Sequence, residues 1–198
     1  MRIAPFLRRL CAPVRRFARD ARGVALVEFA ISLPVLILLY LGAYVISDAI
    51  TCNRKVTRSA RAVTDLVSRY AAVSSSDLQT IMGSSAMVLS PYDSSIAQIR
   101  VSEVQVVDAS TAKVVWSKST TNWTALTAGN SVALTTNLVP QAMLPDKTVT
   151  PNKPGAYFLM GEVSYPYTPQ FGLGFISTIT MNDRIFMLPR LSDQVPLQ

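Results

Sequence analysis

Histidine is missing altogether from the 198 residues, and cysteine occurs only as Cys11 and Cys52. The first absence removes Ser-His-Asp triads, Cys-His dyads and every histidine-containing zinc site. Acidic residues are also scarce, 12 against 19 basic ones, and they form no cluster along the chain. Paired-carboxylate catalysis stays formally open, but no arrangement of nucleophile, base and stabiliser stands out. The reading is a protein that is not an enzyme, with no catalytic residue, no metal ligand and no cofactor. The excess of basic charge does not mark a nucleic-acid-binding domain. Residues 1–23 carry Arg2, Arg8, Arg9, Arg15, Arg16, Arg19 and Arg22 against Asp20 alone, and the remaining 175 residues are near neutral. The pI of 9.7 therefore reports a basic leader, of the kind that holds a segment at the cytoplasmic membrane face.

What the chain does have is one long apolar run. From Phe29 to Ile46 there are eighteen residues without a charge, long enough to be a membrane span. Counted from Val24, a helix to Ile46 reaches about 35 Å at 1.5 Å per residue, against a hydrocarbon core of about 30 Å. The run accounts for much of the positive mean hydropathy, +0.30. It also puts Cys11 and Cys52 on opposite sides of the membrane, so no disulfide between them is expected. Cys52 reads as a lone thiol near the membrane surface, open to intermolecular pairing in an oxidising compartment. Glu28 is the oddity. A carboxylate inside the start of such a helix costs a few kcal/mol (about 3) and needs a partner or a route to the headgroups.

Three readings compete for this region. A signal peptide cut after Ser47-Asp48-Ala49 has small residues at the right spacing, but its apolar run is too long for an ordinary h-region. An uncleaved signal anchor fits the charge bias, although Arg54, Lys55, Arg58 and Arg61 beyond the span weaken that bias. The third takes Gly23 as a processing site, and it also accounts for Glu28. The block Arg22-Gly23-Val24-Ala25-Leu26-Val27-Glu28-Phe29 resembles a type IV prepilin junction. More narrowly, residues 23–34 resemble the TadE-like minor pseudopilins of the tight-adherence (Tad/Flp) type IV pilus system. Residues 53–61 are similar to that family's post-membrane segment. Phe29, where major Flp pilins carry tyrosine, and the chain's length both favour a minor component over the filament subunit.

The resemblance implies cleavage by a prepilin peptidase between Gly23 and Val24, and pairing of Glu28 with the α-amino group of Val24 or of a neighbouring subunit. It implies as partners that peptidase, other pilins and minor pilins met through the N-terminal helix, the inner-membrane assembly platform and the lipid bilayer, with no nucleic acid. It places the chain in the inner membrane as a single pass, N-terminus cytoplasmic and C-terminal domain periplasmic, with incorporation into an extracellular pilus as a further location. Pro34 removes one helix hydrogen bond and is expected to kink the helix. Tyr40 and Tyr44, four apart, share a face.

Past the membrane the helix is expected to continue to about Tyr70. Val56, Ala60, Val63 and Val67 form an apolar stripe, and Arg54, Arg58 and Arg61 a basic one at i, i+4, i+7. The basic stripe suits anionic headgroups or acidic partners, or is simply a solvated face. A short helix over 77–89 follows, opened by a Ser76–Gln79 capping box and burying Leu78, Ile81, Met82 and Val88, and stopped at Ser90-Pro91. From Ala97 the pattern is β. Ile99 and Val101 alternate, Val104 and Val106 resume after a slip that reads as a bulge, and a turn at 108–111 returns the chain through Lys113–Ser117. Residues 119–130 read as a loop anchored by Trp123, and 140–154 as a long irregular connection. Tyr157–Tyr165 makes a strand ended by Pro166, and 175–181 and 184–188 complete a meander. Tyr165, Tyr167, Phe171 and Phe175 are expected in the sheet core. The expected architecture is α+β and pilin-like, a long N-terminal transmembrane helix packed on a small antiparallel β-sheet. Its divisions are a basic prepilin leader (1–23), a transmembrane and extended amphipathic helix (24–70) and a periplasmic or extracellular α+β domain (71–198). The competing function is an uncleaved, signal-anchored periplasmic binding or envelope protein.

Overall fold

The computed structural model describes residues 21–134, 143–146, 148, 154–170 and 177–198. Residues 1–20 of the expected leader (1–23), most of the 140–154 connection, and Phe171 and Phe175 lie outside the described residues. Helix α1 runs from Ala21 to Ser68 without interruption, with Pro34 inside it. It already includes Val24, and it stops two residues short of Tyr70. At its end Arg69 N–H donates to the Leu66 carbonyl and Tyr70 N–H to the Val67 carbonyl, a tightened last turn that satisfies carbonyls the helix leaves open. The chain falls into two compact units, one up to Ser47 and one from Asp48 to Gln198. α1 contributes its first part to one and its last part to the other.

In the second unit, α1 packs on a five-stranded antiparallel sheet: β1 (Gln98–Val106), β2 (Thr111–Ser119), β3 (Ser131–Ala133), β4 (Tyr157–Tyr167) and β5 (Ile179–Met187). The order is β3-β2-β1-β4-β5. A shorter helix, α2 (Ser75–Ala86), precedes the sheet. Its cap is Ser74, two residues earlier than Ser76. Ser74 is extended (φ −90°, ψ 160°) and its Oγ accepts from Asp77 N–H at 3.1 Å, while Asp77 Oδ2 accepts from Ser74 N–H at 3.2 Å. Asp at the third helical position closes the same reciprocal pair that Glu or Gln would. Residues 87–89 then tighten into a 3₁₀ turn. That tightening turns Leu89 into the core in place of the half-buried Val88.

The sheet buries both faces. Ile99, Val101, Leu159, Val163, Tyr165 and Tyr167 lie with Val56, Ala60, Val63 and Val67 of α1 in the larger core. Val104, Val106, Val114, Phe158 and Met160 form a smaller core. This explains the slip between Val101 and Val104. The strand does not skip a residue there; the buried face changes from one side to the other along an alternating strand. A bulge is present at this level, but the extra residue is in β2: Glu103 pairs with Trp116 and Val104 with Val114, leaving Val115 unopposed. The 108–111 turn closes as expected, Asp108 Oδ1 accepting from Ser110 N–H and Thr111 N–H, both at 2.8 Å.

Two strand boundaries differ from the expectation. β4 continues through Pro166 to Tyr167, because β1 has ended by Ser164 and only β5 flanks Pro166; a proline is tolerated where the ladder is one-sided. β5 is one strand, with Asn182 and Asp183 paired to Ser164 and Val163. Gly161, at the middle of β4, sets how closely α1 approaches. A Cβ there would stand 2.0 Å from Thr64 Oγ1 and 3.2 Å from the Ala60 carbonyl oxygen. Small residues on both elements, Ala60 and Gly161, let helix backbone lie almost on sheet backbone.

Candidate functional site

The chemistry-bearing features concentrate along α1. In its first part nearly every large apolar side chain is exposed, Leu26 at 71% and Ile31 at 69%. It is the one helix among the described residues long and apolar enough to cross a membrane, with an 18-residue window of mean hydropathy 2.4 and no buried residue in it. Such a surface is far larger than a water-facing monomer ordinarily leaves open. Gly23, Val24, Glu28 and Pro34 all lie on this exposed part. Val24 and Glu28, four apart, share one face. Glu28 makes no ion pair among the described residues.

Where the apolar run stops, the helix meets a polar clasp. Asp48 is half-buried and its carboxylate takes two phenols: Tyr92 Oη donates to Oδ1 and Tyr167 Oη to Oδ2, each at 2.6 Å. Tyr92 Oη also lies 3.0 Å from the Asp48 carbonyl oxygen. The Tyr92 ring stands 6.2 Å from the rings of both Tyr165 and Tyr167, a tilted cluster of the favourable kind. Burial and then the Asp48 carboxylate push the Tyr92 phenol well above its ordinary value, so it stays a neutral donor. Sequence reading placed Asp48 in a cleavage motif, Tyr165 and Tyr167 in the sheet core, and Tyr92 in the segment that stops the short helix. A charge two residues past an apolar run, with tyrosines elsewhere, was the one available signal. Cys52 is fully buried in the larger core. A thiol so enclosed has no access to a second chain, and the expected openness to intermolecular pairing is corrected.

Beyond the clasp, the two stripes of α1 separate cleanly. Val56, Ala60, Val63 and Val67 have no exposed surface, whereas Arg54, Arg58 and Arg61 are exposed. Lys55, between them, donates to the Ser90 carbonyl at 2.5 Å. Asp65 is held by Arg69 at 2.5 Å and by Arg190.

Two other charged groups are buried in the sheet. Glu162 receives Arg100 on Oε2 at 2.6 Å and Arg184 on Oε1 at 2.7 Å, and Arg100 stacks over Trp123, 4.2 Å from the ring centroid. Trp123 thus anchors its loop as expected. With both oxygens occupied and two cations around it, this carboxylate is a structural centre. Glu103, 1% exposed, lies on the other face of the sheet. Its Oε1 accepts from Val195 N–H at 2.5 Å while Trp116 Nε1 donates to the Val195 carbonyl at 2.8 Å. Oε2 is buried with no hydrogen-bond partner. Burial raises this carboxyl above its ordinary value, opposed by the Val195 and Trp116 contacts. Glu103 and Glu162 face opposite ways, so they cannot share a proton or a substrate. Among the described residues no group of three potential ligands gathers to hold a metal.

Comparison with known proteins points to the same helix. The family described as TadE-like protein matches residues 23–64, a segment that begins at Gly23 and includes the apolar run, the clasp aspartate, the basic stripe and the apolar stripe as far as Val63. No curated protein and no solved structure matches the chain significantly. The match falls on the one helix among the described residues that is long and apolar enough to cross a membrane.

Proposed function

We propose that this chain, TadE-like over residues 23–64, is a minor pseudopilin, a structural and assembly component of a Tad-type pilus. The family match on an apolar helix left open to its surroundings carries the reading. Prepilin peptidase removes the basic leader between Gly23 and Val24. Gly23 costs a helix about 1 kcal/mol relative to alanine, so the helix is weakened at the bond to be cut. Residues 24–46 hold the product in the inner membrane, N-terminus cytoplasmic and the domain periplasmic. Glu28 then pairs with the freed α-amino group of Val24, its own or a neighbour's, because a lone carboxylate in the bilayer is expensive and a paired one tolerable. Pro34 gives the span a point of bending when it leaves the bilayer for a bundle of pilin helices. Assembly alone is its activity, and no catalytic group takes part.

Release of a soluble domain by cleavage after Ala49 fits poorly, because it would remove Asp48 and the acceptor of two tyrosine hydroxyls. The test is the mature N-terminus by mass spectrometry, in cells with and without the peptidase. A peptidase-dependent start at Val24 is expected. A start at Met1 in both strains would sink the reading in favour of the uncleaved anchor.

A further inference from the structure

On the sheet face turned away from α1, two neighbouring rungs are polar from end to end. Arg100, Glu162 and Arg184 stand opposite one another across β1, β4 and β5, and Gln98, Ser164 and Asn182 occupy the next rung. Residues two apart on a strand share a face, so both rungs look the same way, opposite to Leu159 and Val163, which pack with α1. Apart from Gln98 these side chains, together with Trp123, line a cleft of about 660 Å³, a usual size for a small-molecule site.

Part of the cleft wall is fixed and part is free. Arg100 is fully engaged, with Nε and Nη2 on Glu162 Oε2, Nη1 on the Thr124 carbonyl at 3.1 Å and its guanidinium over the Trp123 ring. The Trp123 loop is tied down again by Ser119 Oγ, which donates to the Trp123 carbonyl at 2.6 Å, and by Gln98 Nε2, which donates to the Asn122 carbonyl at 3.0 Å. Arg184 sets both Nε and Nη2 on Glu162 Oε1, which leaves its Nη1 without a partner among the described residues. The Asn182 amide and the Ser164 hydroxyl have none there either, although Ser164 is only 7% exposed. A hydroxyl so enclosed, with no partner in the protein, has its hydrogen bond left for whatever occupies the cleft.

Charge and polarity select the occupant. The two arginines are balanced by Glu162 and by Asp183, which also lines the cleft, so neither an anion nor a cation meets an uncompensated opposite charge. Both Glu162 oxygens are already taken by guanidinium groups, which leaves a metal ion no open carboxylate there. An apolar ligand would strip water from three free polar groups and give nothing back. What fits is an uncharged molecule with several hydroxyls, each able to donate and accept, spaced like cross-strand side chains at about 5 Å, and with one C–H face for the Trp123 ring. We propose that this cleft is a saccharide-binding site, taking a neutral mono- or disaccharide unit through Ser164, Asn182 and Arg184, with Trp123 as the apolar contact. The frame around Glu162 is ordered before the ligand arrives, which lowers the cost of binding. All of these residues belong to the unit from Asp48 to Gln198, so the site is the same whether or not the leader is cleaved.

The test uses the full chain in phosphatidylcholine nanodiscs, which carry no sugar, titrated with maltose, lactose, mannobiose and diacetylchitobiose. Binding is read by saturation-transfer NMR and by tryptophan fluorescence. At least one disaccharide should bind saturably, and Asn182→Ala and Ser164→Ala should each weaken it about fivefold. Trp123→Phe should remove the fluorescence response and keep the saturation transfer. Removing an exposed amide or an unpaired hydroxyl should leave the melting temperature at the wild-type value; if Ser164→Ala does not fold, Asn182→Ala decides alone. No binding above that of empty nanodiscs overturns the proposal. So does binding that both alanine variants keep in full, which would put the sugar elsewhere. Glucuronic acid bound in preference to every neutral sugar, and released by salt, would make the cleft an anion site and overturn it as well.

Discussion

Between Val24 and Ile46, α1 turns Leu26, Ile31, Leu39 and Tyr40 outward; from Asp48 to Ser68 the same helix encloses Cys52, Val56, Ala60, Val63 and Val67 completely. The two stretches share a backbone and differ in what surrounds them. The first is apolar all round, which suits a helix whose solvent is lipid. The second is apolar on one stripe and basic on the other, which suits a helix with protein on one side and water on the other. Asp48 stands at the change, where its carboxylate is satisfied by two phenols of the domain. Association in lipid rests on packing and pairing of rare polar groups, whereas the domain draws on burial of apolar surface from water.

Substitutions can break this contrast in order of expected effect. Gly161→Ala should destabilise the domain most, by about 3 kcal/mol, because its Cβ would fall 2.0 Å from Thr64 Oγ1 in a packed core. Thermal unfolding would show it, and adding Thr64→Ala should recover part of the loss, a coupling that independent sites lack. Leu38→Arg should leave that unfolding unchanged and lower membrane insertion by about 3 kcal/mol, seen as a shift into the soluble fraction. If Leu38→Arg instead lowered the domain's melting temperature, the separation of the two stretches would be wrong. Asp48→Ala should cost the domain about 2 kcal/mol by removing the acceptor of two short, charge-assisted hydrogen bonds, and Tyr167→Phe about half as much. Both are readable by chemical denaturation.

The smallest effect concerns pH. Burial raises Glu103 above its ordinary value of 4.5, so the folded chain keeps a proton that the unfolded chain releases. Stability from this group is fully present below 4.5 and is lost as pH rises through the folded value, since the folded state then binds more protons. Glu103→Gln should flatten that decline in melting temperature against pH. An unchanged slope would show that Glu103 does not titrate across the unfolding transition.

How much was legible follows from how far apart the interacting residues are. The capping of α2, the 108–111 turn and the two stripes of α1 are relations within seven residues, and periodicity or side-chain chemistry reveals them. Even there, Ser74 and Ser76 are equivalent by type, and only the extended backbone at Ser74 chose between them. β3 was missed because three residues carry no period. Pro166 seemed to end β4 because the rule that excludes proline from strands depends on which neighbours are present. The Asp48–Tyr167 bond joins residues 119 apart and the Glu103–Val195 bond residues 92 apart. No local pattern encodes such pairs.

The sequence by itself determined the long helix, its apolar run and the separation of basic from apolar stripe, all properties of one repeating backbone geometry and the solubility of its side chains. Tertiary structure alone decided the strand order, the burial of Cys52, the tyrosine clasp on Asp48, the saturation of Glu162 and the enclosure of Glu103. Each depends on which distant surfaces exclude water together, and a buried polar group acquires its partner, its cost and its protonation only when those surfaces close around it.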